Sequence, residues 1–73
     1  MRMSARNRLP GIVQNVKAGE IVTQVDVRVG DNVVTSVITS EAAEELGLKE
    51  GDSVVAVVKA TEVMIEKSSD EGA

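Results

Sequence analysis

Hydrogen-bond donors are the groups with which this sequence could do chemistry, and they fall into three clusters near the ends of predicted strands. The residues carry hydroxyl, guanidinium or ammonium groups and are Ser4 and Arg6, then Thr35, Ser36, Thr39 and Ser40, and finally Lys59 and Thr61. A fully deprotonated oxyanion has only acceptor oxygens, so converging donors of this kind, together with backbone N–H groups, could bind one. Structural roles stay open at this point, because Thr39 could cap a helix, Lys59 could be a solvated strand-end residue, and Arg6 could pair with Glu62.

The residue types that the chain lacks exclude most other chemistry. There is no Cys, His, Phe, Trp or Tyr, and 12 acidic side chains stand against 8 basic ones. Without thiols or imidazoles we expect no cationic metal site and no cofactor. Glu41, Glu44 and Glu45 lie on a predicted helix surface with no nucleophile nearby, so we expect no enzyme. The acidic balance and the lack of aromatic platforms argue against a nucleic-acid partner.

The length and composition predict one small globular domain. The chain has 73 residues, of which 42% are apolar and 27% are charged, and this length accommodates a single domain. We assign the domain to residues 1–67 and a frayed, polar C-terminal tail to residues 68–73. No apolar run reaches the ~18 residues of a membrane span, and the N-terminal segment does not lead into a secretory apolar region. We therefore expect a cytoplasmic protein with no membrane partner.

Alternation of apolar and polar residues predicts the strands. It is clearest over residues 21–29, and further strands are predicted over 9–17, 33–39, 54–58 and 61–65. Ser40 as N-cap and Gly47 at the C-terminal cap bracket a helix of about two turns. Five short strands, with one helix between the third and the fourth, predict an all-β fold. Its architecture is a small closed or partly closed barrel of the oligonucleotide/oligosaccharide-binding (OB) type.

Two predicted strands carry apolar residues on both faces. These are residues 33–38 and 54–58, and a domain below ~70–80 residues commonly needs disulfides, a metal or oligomerisation to be stable. The chain has no Cys for a disulfide, so the pattern favours one face in the core and the other in contact with a second subunit. The alternative is that the helix and the N-terminal segment cover the second face.

Three motifs in the right order carry a family resemblance. The opening SARNRLPG at residues 4–11 resembles the SARNxLxG opening of molybdate-binding Mop or TOBE domains. The segment VITSEAAEELGLKEGD at residues 37–52 resembles the middle of that family, and VKATEVMI at residues 58–65 resembles its closing KASxVML strand. The chain also has the length of the stand-alone members, the molbindins. The resemblance implies an OB-like barrel that assembles as a hexamer, a trimer of dimers, and holds molybdate or tungstate at subunit interfaces.

The resemblance also implies site residues. Ser4 and the backbone of Ala5 and Arg6 would come from one subunit. Thr39, Lys59 and the backbone N–H of Ala60 would come from its neighbour. Ser40, Ala42 and Thr61 complete the candidate set.

One position departs from the family pattern. Where many members have a Ser at the third residue after the "IT" pair, this chain has Ala42, which has no hydroxyl. We expect Ser40 or a backbone N–H to replace the missing donor, or a lower affinity than in the family.

The implied function is intracellular binding and storage of molybdate or tungstate. The alternative is a regulatory or interaction module that senses the oxyanion for a transporter or regulator partner.

Overall fold

A computed structural model describes residues 6–68 and contains four strands and one α-helix. In chain order the elements are β1 (Asn7–Ala18), β2 (Val22–Val29), β3 (Asn32–Thr39), α1 (Ser40–Leu46) and β4 (Ser53–Val58), followed by a 3₁₀ turn (Ala60–Glu62). The four strands form one antiparallel sheet in the order β3-β2-β1-β4. None of the helices in this part of the chain has the length and apolar character that a membrane crossing demands.

Strand β1 joins the two halves of the sheet. Its first half pairs with β4, from Asn7 opposite Val58 to Ile12 opposite Ser53. Its second half pairs with β2 as far as Ala18, with a register shift between Val13 and Asn15. A bulge of this kind bends a strand and increases its twist, so the long β1 can belong to both halves of a curved sheet.

The core lies on one face of β1 and β2, as the alternating pattern predicts. Val13, Val25 and Val27 have no more than 4% of their surface exposed, and Val16, Val29, Ile38, Leu48 and Val54 pack against them. In β2 the intervening side chains lie on the opposite face, which leaves one face of the strand wet. The core is therefore small and built mainly from Val, without aromatic residues.

Helix α1 begins one residue earlier than the cap prediction implied. Its N-cap is Thr39, whose Oγ1 accepts the backbone N–H of Ala42 at 3.1 Å, whereas Ser40 is the first helical residue. The prediction of Ser40 as N-cap was therefore wrong by one position. The C-terminal end is as predicted: Gly47 has φ 63°, and its backbone N–H donates to the carbonyl of Glu44 at 3.0 Å.

The predicted fifth strand over residues 61–65 is absent from the described chain. After β4, the backbone N–H of Glu62 donates to the carbonyl of Lys59 at 2.8 Å and forms the 3₁₀ turn, and residues 63–68 have no regular structure. Met64 and Ile65 are about nine-tenths exposed. A strand forms only where a neighbouring strand pairs with it, and residues 61–65 pair with none of the described strands. Over residues 6–68 the fold is accordingly mostly β, with four strands in one sheet.

Candidate anion-binding site

The first donor cluster lies where β1 begins and β4 ends. Asn7 and Val58 are paired in the sheet, so Arg6 and Lys59, which extend the two strands, occupy neighbouring exposed positions. The side chain of Asn7 strengthens this junction, because its Nδ2 donates to the carbonyl oxygen of Val58 at 3.2 Å across 51 residues of sequence. Two cationic side chains are thereby placed at the same end of the sheet.

The 3₁₀ turn adds backbone donors to this cluster. Ala60 and Thr61 are its first two residues, and the bonds of the turn itself are donated by Glu62 and Val63. The first N–H groups of a helical turn have no partner within it, so the bonds of the turn leave those of Ala60 and Thr61, which follow Lys59, available to a ligand. The cluster thus offers side-chain cations with backbone N–H groups, which is donor chemistry.

The second cluster lies where β3 passes into α1. Thr39 is exposed, and its Oγ1 accepts the N–H of Ala42. Ser40 is engaged three times: its N–H donates to the carbonyl of Ile21 at 2.8 Å, its Oγ donates to the carbonyl of Gly19 at 2.6 Å, and its Oγ lies 2.8 Å from Oγ1 of Thr23. The N–H of Ala42 is committed to the cap, and the hydroxyl of Thr39 is a side-chain donor at this junction that these bonds do not use.

The strand register separates the two clusters. Thr39 pairs with Val22 of β2, and the next residue of β2 pairs with Ala18, the last residue of β1. Lys59 follows Val58, which pairs with Asn7, the first residue of β1. Thr39 and Lys59, which the family resemblance assigns to the same subunit's share of the site, therefore lie at opposite ends of β1. In the sheet, Lys59 is the neighbour of Arg6. Ser4 and Ala5 lie outside the described residues. By register, the described candidate residues thus form two donor clusters, one towards each end of β1.

The remaining hydroxyls of the middle cluster have other roles. Thr35 donates to Oδ1 of Asp26 at 3.0 Å, and Nε2 of Gln24 donates to the same oxygen at 3.2 Å. These hydrogen bonds, led by the one from Thr35, hold the pKa of the Asp26 carboxyl below its usual value. Ser36 lies on the other face of β3, among the residues that line a cleft described below. Neither Thr35 nor Ser36 therefore joins a donor cluster.

Sequence reasoning missed three polar residues that position these elements. They are Asn7, Thr23 and Asp26. The hairpin register places Asp26 opposite Thr35 and could have revealed the hydrogen bond between these two side chains. The bond from Asn7 to Val58 depends on a contact between distant segments and has no local signal. Within residues 6–68, no group of three or more acidic side chains is arranged to hold a metal ion.

An apolar cleft opens between β3 and β4, the two edges of the sheet. It has a volume of about 360 Å³, and its walls include Val34 and Ile38 of β3, Leu48, and Val54 and Val58 of β4. A closed barrel would fill this gap with a further strand. The cleft is therefore the place at which the predicted barrel is incomplete in a single chain.

These features define a class: a small antiparallel β-domain, barrel-like and open along one side, with donor clusters at both ends of its longest strand. Comparison with known families places it more narrowly. The chain belongs to the TOBE domain family, whose model matches residues 3–65, and the resemblance noted from the sequence motifs is confirmed.

Solved structures give the same result. The chain is 45% identical to MopII from Clostridium pasteurianum in an apo form, over 90% of this chain and all of that one, with a TM-score of 0.83. It is 31% identical to a molybdate-binding protein from Sporomusa ovata, over 92% of this chain and all of that one, with a TM-score of 0.87.

A third structure belongs to a longer protein. ModG, a cytoplasmic molybdate-binding protein solved with molybdate bound, is 43% identical over 82% of this chain and 43% of its own length, with a TM-score of 0.76. A comparison with curated proteins found no match. Two of the three relatives are described as molybdate-binding proteins and none as an enzyme, which agrees with the expectation that this chain is not an enzyme.

Proposed function

We propose that this protein binds and stores molybdate or tungstate in the cytoplasm, at sites between the subunits of a homo-oligomer. The observation that carries the proposal is the match to the Sporomusa ovata molybdate-binding protein along nearly the whole of both chains. The description of ModG as cytoplasmic supports the location. The oxyanion is the ligand, and no other cofactor is part of the proposal.

Donor-only recognition explains how such a site selects its anion. Molybdate carries no proton at neutral pH, whereas phosphate retains one and needs an acceptor in its site. A site built from ammonium, hydroxyl and backbone N–H groups leaves the proton of phosphate without a partner, and a buried unsatisfied polar group costs roughly 1–3 kcal/mol. Sulfate has the same charge as molybdate and no proton, so size must exclude it.

The geometry of one chain supports a site shared between two subunits. One subunit would supply Arg6, Lys59, Ala60 and Thr61, together with Ser4 and Ala5, which precede Arg6 in sequence. The neighbour would supply its β3–α1 junction, with Thr39 as the donor. This division follows the strand register, which puts the two clusters at opposite ends of β1.

The exposed C-terminal segment supports the oligomer. Val63, Met64 and Ile65 are all exposed, the cleft between β3 and β4 is apolar, and both of its edges are strands. An extended segment can add to a strand edge through main-chain hydrogen bonds while its side chains fill adjacent pockets. We propose that the exposed residues 63–65, beyond the 3₁₀ turn of one subunit, form the fifth strand of another and close its barrel, within a hexamer built as a trimer of dimers.

Titration calorimetry with light-scattering mass on the same sample tests the proposal. The ligands are molybdate, tungstate, sulfate and phosphate, and Lys49→Ala, which removes an exposed lysine in the loop between α1 and β4, is the control variant. We expect a multimer that binds molybdate and tungstate tightly and phosphate not at all. A monomer, or a multimer that takes up none of these anions, would refute the proposal.

A further inference from the structure

The hydroxyl of Ser40 donates its proton to a hydrogen bond within the protein. A hydroxyl carries one hydrogen, and the carbonyl oxygen of Gly19, 2.6 Å from Oγ of Ser40, can only accept. The proton of Ser40 therefore points to Gly19. It follows that in the 2.8 Å contact between Ser40 and Thr23 the hydroxyl of Thr23 is the donor.

The hydrogen bonds from Thr23 to Ser40 and from Ser40 to Gly19 form a relay, and burial of Thr23 makes its bond to Ser40 costly to break. Thr23 has 2% of its surface exposed, so water does not reach its hydroxyl, and a buried donor without a partner is strongly unfavourable. If Ser40 turned its proton toward an anion, the carbonyl of Gly19 would lose that partner. The relay ties Ser40 to the turn between β1 and β2, and the bond from the N–H of Ser40 to Ile21 ties the backbone at the same place.

Thr39, the preceding residue, is in the opposite situation. Its Oγ1 accepts from the N–H of Ala42, and that bond leaves the hydroxyl proton free to donate elsewhere while the cap stays intact. The two adjacent hydroxyls thus differ in what they can offer to an oxyanion. Thr39 can donate while keeping its cap bond, whereas Ser40 can donate to an anion only by giving up its bond to Gly19.

We infer that Ser40 is a positioning residue and not a ligand: through Thr23, Gly19 and Ile21 it fixes the backbone from which Thr39 donates to the oxyanion. The inference rests on the proposed function and refines it, because the sequence motifs place Ser40 among the candidate donors. It also assigns a role to the buried Thr23, which stabilises the relay without reaching the site.

A double-mutant cycle on binding affinity separates the two roles. The variants are Ser40→Ala, Thr39→Val and their combination, and the measurement is the Kd for molybdate by calorimetry. A residue that acts through Thr39 loses its effect once the Thr39 hydroxyl is gone. We expect Ser40→Ala to raise the Kd roughly 3- to 10-fold in the unaltered background, as for coupled neighbours, and to leave it unchanged beside Thr39→Val.

A second pair of variants separates positioning from stability. Ser40→Ala leaves the buried Thr23 hydroxyl without its acceptor, so we expect a lower Tm of the anion-free protein. Thr23→Val combined with Ser40→Ala removes both polar groups and should recover much of that Tm. Because the bond from Oγ of residue 40 to the carbonyl of Gly19 is still missing, the Kd of this double variant should stay as high as that of Ser40→Ala alone.

The possible results are distinct. An equal effect of Ser40→Ala in both backgrounds would mean that Ser40 contacts the anion itself and would overturn the inference. A lower Tm with an unchanged Kd would mean a purely structural role and would also overturn it. If the unaltered protein binds none of the oxyanions, the proposed function fails, and the role of Ser40 fails with it.

Discussion

Lys59 provides the sharpest test of the donor cluster at the start of β1. It is exposed in the single chain, follows β4 directly, and lies next to Arg6 because Asn7 and Val58 are paired. Replacing Lys59 with Ala removes one ammonium donor and one positive charge and leaves the strand and the 3₁₀ turn in place. The matched control is Lys49→Ala in the loop between α1 and β4, which makes the same change in net charge.

The expected magnitude follows from the kind of bond that is lost. A hydrogen bond between two charged groups contributes about 1.5–3 kcal/mol, which corresponds to roughly 10- to 150-fold in affinity. Lys59 is solvated in the single chain, and the second subunit must cover it before the upper part of this range applies. We therefore expect Lys59→Ala to weaken molybdate binding at least about 10-fold, and Lys49→Ala to change it less than about 2-fold.

Ionic strength distinguishes a local contact from general attraction. Titrations at low and high salt should show a shallower salt dependence for Lys59→Ala than for the unaltered protein, because one of two adjacent cations is gone. The Tm of the anion-free protein should not fall, since Lys59 is exposed and no bond within the fold depends on its side chain. Equal losses of affinity in Lys59→Ala and Lys49→Ala would refute the reasoning, because net charge alone would then account for binding.

Three further changes test the fold and the assembly. Val25→Ala removes two methyl groups from a side chain that is 3% exposed; we expect a loss of about 2 kcal/mol by denaturant unfolding, and a loss near zero would contradict the assigned core. The pKa of Asp26 is lowered in the fold, so its contribution to stability is present above the unfolded pKa of about 3.9 and is lost as the pH falls through the lower folded value; Asp26→Asn should flatten the acid limb of stability against pH, and an unchanged limb would exclude this carboxyl as a cause. Ile65→Asp places a charge on the exposed segment that we propose as the partner's fifth strand; light scattering should show dissociation, and an intact multimer would contradict strand donation.

The sequence allowed much of the fold to be predicted because its signals are local. Alternation over β2 places Val25 and Val27 in the core, and Gly47 ends the helix in the left-handed conformation that it suits. The N-cap was wrong by one residue because Thr39 and Ser40 are both good caps, and the choice depends on contacts with Gly19 and Thr23 outside the helix.

The fifth strand and the donor count could not be predicted in the same way. Residues 61–65 have a strand's apolar pattern, but a strand also needs an edge to pair with, and pairing is a property of the whole assembly. In the sequence, the hydroxyls of Thr39 and Ser40 and the backbone N–H of Ala42 look equally able to donate to an anion. Only their partners, Gly19 for one and the helix cap for another, distinguish them.

Subunit complementation tests the central claim, that one subunit supplies Lys59 and another supplies Thr39 to each oxyanion site, most directly. Lys59→Ala and Thr39→Val protomers each lack one half of the site, and mixed oligomers of the two can be formed by co-expression, with titration of each variant alone as reference. If the halves come from different subunits, binding should return at about a quarter of the sites, because each half is intact in half of the subunits. If both halves belonged to one chain, the mixture would bind no better than the separate variants, and that result would contradict the account.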